Sequence, residues 1–141
     1  MLTLAQAQTI IAKTLEHGVQ AKFKTLGVVV LDPRATVKAA AIGDGSSLSR
    51  FDIARAKAKG ALAFNMGTRA LERIAKDRLH FIIGAVAAID GGLVPVPGGV
   101  LIKDKDGHVL GAVGVSGDTS DNDELAALAG IAAAGFVGDA G

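Results

Sequence analysis

Side chains able to do acid–base, metal-ligand or nucleophilic chemistry are few in this chain, and they are scattered. The three histidines, His17, His80 and His108, show no HxH or HxxxH spacing, which argues against a zinc site. The chain has no cysteine, so disulfides, thiolate ligands and thiol nucleophiles are excluded. No Ser-His-Asp arrangement can be assembled by spacing. Proton transfer would fall to Asp44, Asp118, Glu124 or a histidine, and the sequence singles out none of them. Asp118, Asp121, Asp123 and Glu124 form an acidic run that lacks the Asp-x-Asp-x-Asp-Gly spacing and terminal Glu of a calcium loop.

The stretch from Pro95 to Glu124 carries most of the remaining chemistry. Gly98-Gly99 and the run Gly111 to Gly117 invite comparison with a phosphate loop, yet neither GxxxxGK[ST] nor a strand-GxGxxG-helix order is present. Backbone N–H groups of the loop Ser116-Gly117-Asp118-Thr119-Ser120, ahead of the last helix, are placed to receive a carboxylate. In the competing reading Asp121 or Asn122 caps that helix, while Asp123 and Glu124 complement its dipole. Lys57, Arg69, Arg73, Lys76 and Arg78 give the middle helices a basic face, ordinarily a solvated surface. Where that face borders a pocket, Arg69 or Lys57 would pair with an anionic ligand. With no Trp or Tyr and a net charge of +1, nothing points to nucleic acid or an anionic membrane.

The elements that must position these groups follow from hydrophobic period and punctuation. Leu4, Ala7, Ile11 and Leu15 recur at helical spacing behind a Thr3 cap, predicting a helix from Thr3 to His17 that stops at Gly18. At its end an imidazolium at His17 would be favoured by the helix dipole. Leu26 to Leu31 is a short β-branched run suited to a buried strand, and Asp32-Pro33-Arg34-Ala35 turns it into a second strand, Thr36 to Gly43. After a Gly/Ser loop, Ser47 or Ser49 caps an Ala/Lys-rich helix from Arg50 to Asn65. A further helix starts at Thr68 and runs through Leu71, Ile74, Ala75 and Arg78, while His80 to Ile89 is apolar without a clear period. Asp90-Gly91-Gly92 then turns the chain. Val100 to Ile102 and Val109 to Val115, joined through Asp106-Gly107, read as a hairpin. Leu125, Leu128, Ile131 and Ala132 keep helical spacing as far as Gly135, and Val137 to Gly141 has little to hold it. Strands joined by short turns require antiparallel pairing, so the order predicts one α+β domain spanning residues 1–141.

Half of the residues are hydrophobic but only 4% are aromatic, so the core must be built from Ala, Val, Leu and Ile. Such small-residue surfaces predict close packing and a homo-oligomer. Residues 1–14 lack an apolar signal region, and no apolar run approaches bilayer length, which predicts a cytoplasmic protein.

Pro97-Gly98-Gly99-Val100, Gly111-Ala112-Val113-Gly114-Val115-Ser116-Gly117 and Asp123-Glu124 together resemble the signature of the GlcG/HbpS-like (DUF336) family. This heme-binding or heme-degrading group also includes the C-terminal domain of some PduO-type proteins. The likeness spans nearly the whole chain, although Pro33-Arg34-Ala35 departs from the family's usual acidic or glycine-containing turn, as in a divergent branch. The resemblance implies a profilin-like antiparallel sheet packed with helices. It also implies heme or a related tetrapyrrole as ligand, with His17 as axial ligand and Gly98, Gly99, Ser116 and Gly117 lining the site. In that setting Arg69, Asp118 and Glu124 are candidates for contacting the ligand. Two other readings stand beside it: an enzyme or accessory of a catabolic pathway acting on a small organic acid, and a purely structural oligomer.

Overall fold

A computed structural model describes residues 1–90 and 92–141. The expected turn at Asp90-Gly91-Gly92 includes Gly91, which lies outside the described residues. The elements run α1 (Leu4–Gln20), β1 (Gly27–Leu31), β2 (Val37–Ile42), α2 (Arg50–Phe64), α3 (Thr68–Asp77), α4 (Leu79–Ala88), β3 (Gly99–Lys103), β4 (Val109–Ser116), α5 (Ser120–Ala133) and β5 (Val137–Asp139). The strands form one antiparallel sheet in the order β2-β1-β4-β3-β5. This is the expected α+β architecture.

Alternation along the strands divides the apolar residues between two layers. Val28, Val30, Val100, Ile102, Val113 and Val115 pack with Ile10, Ile11, Ala126, Ala127 and Ile131 of α1 and α5. Val29, Leu31, Leu101 and Ala112 pack with Ala54, Ala58 and Ala61 of α2. Burying each Val, Leu or Ile of these layers contributes about 1.5–3 kcal/mol. On the α2 side the sheet is floored by residues with little or no side chain. A Cβ at Gly114 would stand 1.8 Å from the carbonyl oxygen of Ala54, and one at Gly99 would stand 2.3 Å from that of Lys57. The backbone of α2 therefore rests directly on β3 and β4, which is why this layer is built from alanine.

Several local expectations change. Gly18 does not stop α1, which continues to Gln20, with Lys22 taking the positive φ of 60° beyond it. Gly18 instead makes room for Leu26, whose Cδ1 would lie 2.8 Å from an added Cβ. The stretch from His80 to Ile89, without clear period, is helical as far as Ala88 in α4, whose inward residues Ile82 and Ala85 pack with Leu93. The C-terminal segment is held after all: β5 pairs with β3, and Lys103 Nζ meets Asp139 Oδ2 at 2.6 Å. Thr119, rather than Asp121 or Asn122, caps α5 by accepting the N–H of Asn122.

Candidate functional site

The sheet's register gathers the end of α1, the segment Lys24–Leu26, the start of α2 and the end of β4. Gly27 pairs with Ser116, so the residues just before β1 lie beside those just after β4. A Cβ at Gly117 would stand 2.2 Å from the carbonyl oxygen of Thr25, and the Lys24 N–H donates to Asp118 Oδ1 at 2.7 Å. Arg50 reaches the same corner from the first turn of α2, donating to Ser116 Oγ at 3.0 Å.

Two concavities flank this corner. One, of about 350 Å³, is lined by Lys24, Thr25, Gly45, Ser46, Ser47, Arg50 and Gly117. The other, of about 340 Å³, is mainly apolar, with Leu15, Val19, Phe23 and Leu26 among its lining residues. They share Lys24 and Thr25 and therefore adjoin; the pair, termed the trough, has basic residues at one end and apolar ones at the other. His17 is not itself among the residues lining the apolar concavity and adjoins it through Phe23. It is half-buried, and its ring meets that of Phe23 edge to face with centroids 5.7 Å apart. Among the described residues the imidazole has no hydrogen-bond partner within the chain, leaving its nitrogens available to an external atom. Val19, two positions beyond His17 in α1 and a lining residue of the apolar concavity, is 79% exposed.

The other proposed ligand-contacting residues are dispersed. Arg69 is committed internally: its Nε donates to Glu124 Oε1 and Oε2 at 3.1 and 3.0 Å, and Nη2 meets Asp121 Oδ1 at 2.6 Å. The two carboxylates, Glu124 first, push the guanidinium's pKa further up. Glu124 is correspondingly consumed. Asp118 follows Gly117 and does not line the trough; the Lys24 N–H, the Asn122 amide and the Thr119 N–H hold its pKa below the usual carboxylate range. Lys57 is not on a solvated face. It lies on the same stripe as Ala54, Ala58 and Ala61, only 2% exposed, and ion-pairs with Asp123. Gly98 lies against Lys57: a Cβ there would sit 2.9 Å from Nζ. Gly99 exchanges hydrogen bonds with the Thr68 hydroxyl. Both glycines thus serve the contact of α2 and α3 with the sheet. Of Gly98, Gly99, Ser116 and Gly117, only the last lines the trough; Ser116 is buried behind it and accepts from Arg50.

His80 is exposed on α4, and His108 is an exposed hairpin residue hydrogen-bonded to Asp104. Asp104, Asp106 and His108 converge closely enough to contact a cation, but this is an open turn in which Asp104 already accepts two backbone N–H groups. Sequence reasoning missed Lys24, Phe23, Ser46, Ser47 and Arg50. Phe23 and Lys24 precede β1 and Ser46, Ser47 and Arg50 follow β2, and the antiparallel pairing of β1 with β2, Gly27 opposite Ile42, brings the two groups together.

The fold and sequence were compared with known proteins. Crystal structures with the same fold include a PduOC:heme complex, at 23% identity over 96% of each chain with a TM-score of 0.84. They also include a double mutant of HbpS from Streptomyces reticuli, at 26% identity over 93% of this chain and 85% of that one, TM-score 0.79. A third is the DUF336 protein ORFY of Klebsiella pneumoniae, at 24% identity over 94% and 90%, TM-score 0.84. Comparison with curated proteins finds no match. The model of the family described as "Haem degrading protein HbpS-like" matches residues 2–132, and the chain belongs to that family.

Proposed function

We propose that this protein binds heme or a related tetrapyrrole in the trough between α1 and the β1–β4 corner, with His17 as axial ligand. The observation that carries this reading is the half-buried imidazole of His17. It has no internal hydrogen bond among the described residues and packs on Phe23 at the edge of an apolar concavity. Imidazole nitrogen is a common ligand of heme iron, and a flat apolar macrocycle would cover Leu15, Val19, Phe23 and Leu26. The residues present therefore fit the group. Bound heme would supply the redox chemistry of its iron; the chain's own part is to provide the nitrogen, shield one macrocycle face from water and fix its orientation. Family membership and the likeness to a heme complex support the reading.

Self-association belongs to the same proposal. Leu79, Ile83 and Val86 form an i, i+4, i+7 stripe on α4 and are 61, 63 and 39% exposed, an apolar face suited to a second copy of this chain. No helix of the described residues is long and apolar enough to cross a membrane.

Equilibrium titration with hemin, followed in the visible spectrum, tests the proposal. One saturable site per chain, weakened roughly tenfold or more in His17→Ala, is expected. Non-saturating binding identical in the two proteins would overturn it.

A further inference from the structure

The basic end of the trough has no place in axial ligation, yet it has the features of a built site. Arg50 is held in position by Ser116 Oγ, and among the described residues it has no carboxylate partner. Lys24 lines the same pocket, again with no ion pair to its ammonium group. The lining of the pocket contains no acid. Asp118 is the carboxylate close by: it accepts the Lys24 N–H and exerts an electrostatic pull with that residue, but three donors already hold it. Asp44 lines only the apolar neighbour. Ser46 lines the pocket, and its hydroxyl, shielded from solvent and without a hydrogen-bond partner among the described residues, would turn outward to meet a ligand there. Gly45, with φ 79° and nothing within 4 Å of an added Cβ, leaves that wall open. A buried hydroxyl without a partner is costly, and two uncompensated cations beside it call for an anion with several acceptor oxygens.

We infer that this pocket is a carboxylate seat, in which Arg50 and Lys24 bind an acid group of the ligand and Ser46 donates to it. Arg50 offers two N–H groups to one carboxylate, Lys24 supplies a second charge, and the Ser46 hydroxyl gains the partner it lacks. The inference rests on the tetrapyrrole reading for one source of that carboxylate, the propionate side chains of the macrocycle held by His17. Lys24 and Thr25 line both concavities, so the two ends adjoin. A free small organic acid would present the same chemistry.

Paired titrations separate these cases. Hemin and hemin dimethyl ester, in which the propionates are masked, are titrated into the wild type, Arg50→Gln and Lys24→Gln; malonate is titrated into the same proteins by calorimetry. Hemin should bind roughly tenfold more tightly than its ester to the wild type, and that ratio should collapse in both variants while the His17-dependent spectrum is retained. Equal affinities for hemin and ester, with malonate giving no heat that depends on Arg50, would overturn the seat while leaving axial ligation by His17 intact. If hemin shows no specific site, the tetrapyrrole reading fails and the malonate arm decides alone. Binding abolished by Arg50→Gln would support a seat for free organic acids, and no binding would overturn it. Circular dichroism and thermal melts of the variants establish that they are folded.

Discussion

Lys57 of α2 and Asp123 of α5, on opposite faces of the sheet, meet end to end at 3.0 Å with 3 and 2% of their side chains exposed. Lys57 Nζ also donates to the Val115 carbonyl, and Asp123 Oδ1 accepts the Asp118 N–H. The pair therefore ties α2, the end of β4 and the loop leading into α5 into one unit beside the trough. Burial pushes the Asp123 carboxyl up, and the Lys57 charge pulls it partly back. Removing one partner strands the other. Lys57→Met or Asp123→Asn alone should cost about 3–5 kcal/mol, whereas Lys57→Met with Asp123→Leu should recover much of the loss. Urea denaturation of the three variants checks this. Single variants as stable as the wild type would show that the pair is not holding the unit together.

Arg69 gives a sharper contrast with Arg50. Because it is engaged by Glu124 and Asp121, Arg69→Ala should leave hemin and malonate affinities within about twofold. It should lower stability by only about 1 kcal/mol, since the guanidinium is 37% exposed and solvent screens the pair. A large loss of ligand affinity in Arg69→Ala would show that the trough extends to α3.

Glycine positions separate contact from conformation. Gly114→Ala forces a Cβ into the backbone of α2 and should prevent stable folding, because the Ala54 carbonyl cannot yield without moving the helix. Gly84, inside α4 with nothing within 4 Å, carries no such constraint. Gly84→Ala should raise stability by about 0.5–1 kcal/mol through helix propensity alone. Thermal melts of both variants suffice, and a destabilised Gly84→Ala would mean that α4 packs against something else at that position.

Acid should act through Asp118. Its folded-state pKa lies below the unfolded one, chiefly through the Lys24 N–H, so the unfolded chain binds more protons in the window between the two. Its contribution to stability is thus present above the ordinary carboxylate pKa and is lost as pH falls through the folded value. Asp139, held down first by Lys103, acts in the same sense. Asp118→Asn should flatten the fall in stability below about pH 4. An unchanged acid limb would show that these donors do not favour the charged form.

The α+β plan was legible because residues 26–31 and 109–115 are short apolar runs bounded by turn residues, and α1 and α5 keep three- and four-residue spacing. Gly114 was legible as a strand glycine, but the helix backbone that rests on it was not. The buried role of Lys57 was hidden by residue type, since lysine reads as surface. Yet Lys57 is spaced with Ala54, Ala58 and Ala61 in a single helical stripe. The short β5 carries too few residues for a period, and pairing with the edge of β3 decides its state. At the site, His17 could be picked out as a histidine at a helix end. Arg50 and Lys24 could not, because nothing in their local sequence marks them and their proximity is a product of strand register.

The central claim is a bond from His17 to iron, and the most direct measurement is the ligand-field spectrum of hemin-loaded protein. Electron paramagnetic resonance and resonance Raman spectra would be recorded for the wild type, His17→Ala, and His17→Ala with added imidazole. A nitrogen-ligand signature present in the wild type, lost in the variant and restored by imidazole is the predicted result. Spectra identical in wild type and variant, and indifferent to imidazole, would contradict it.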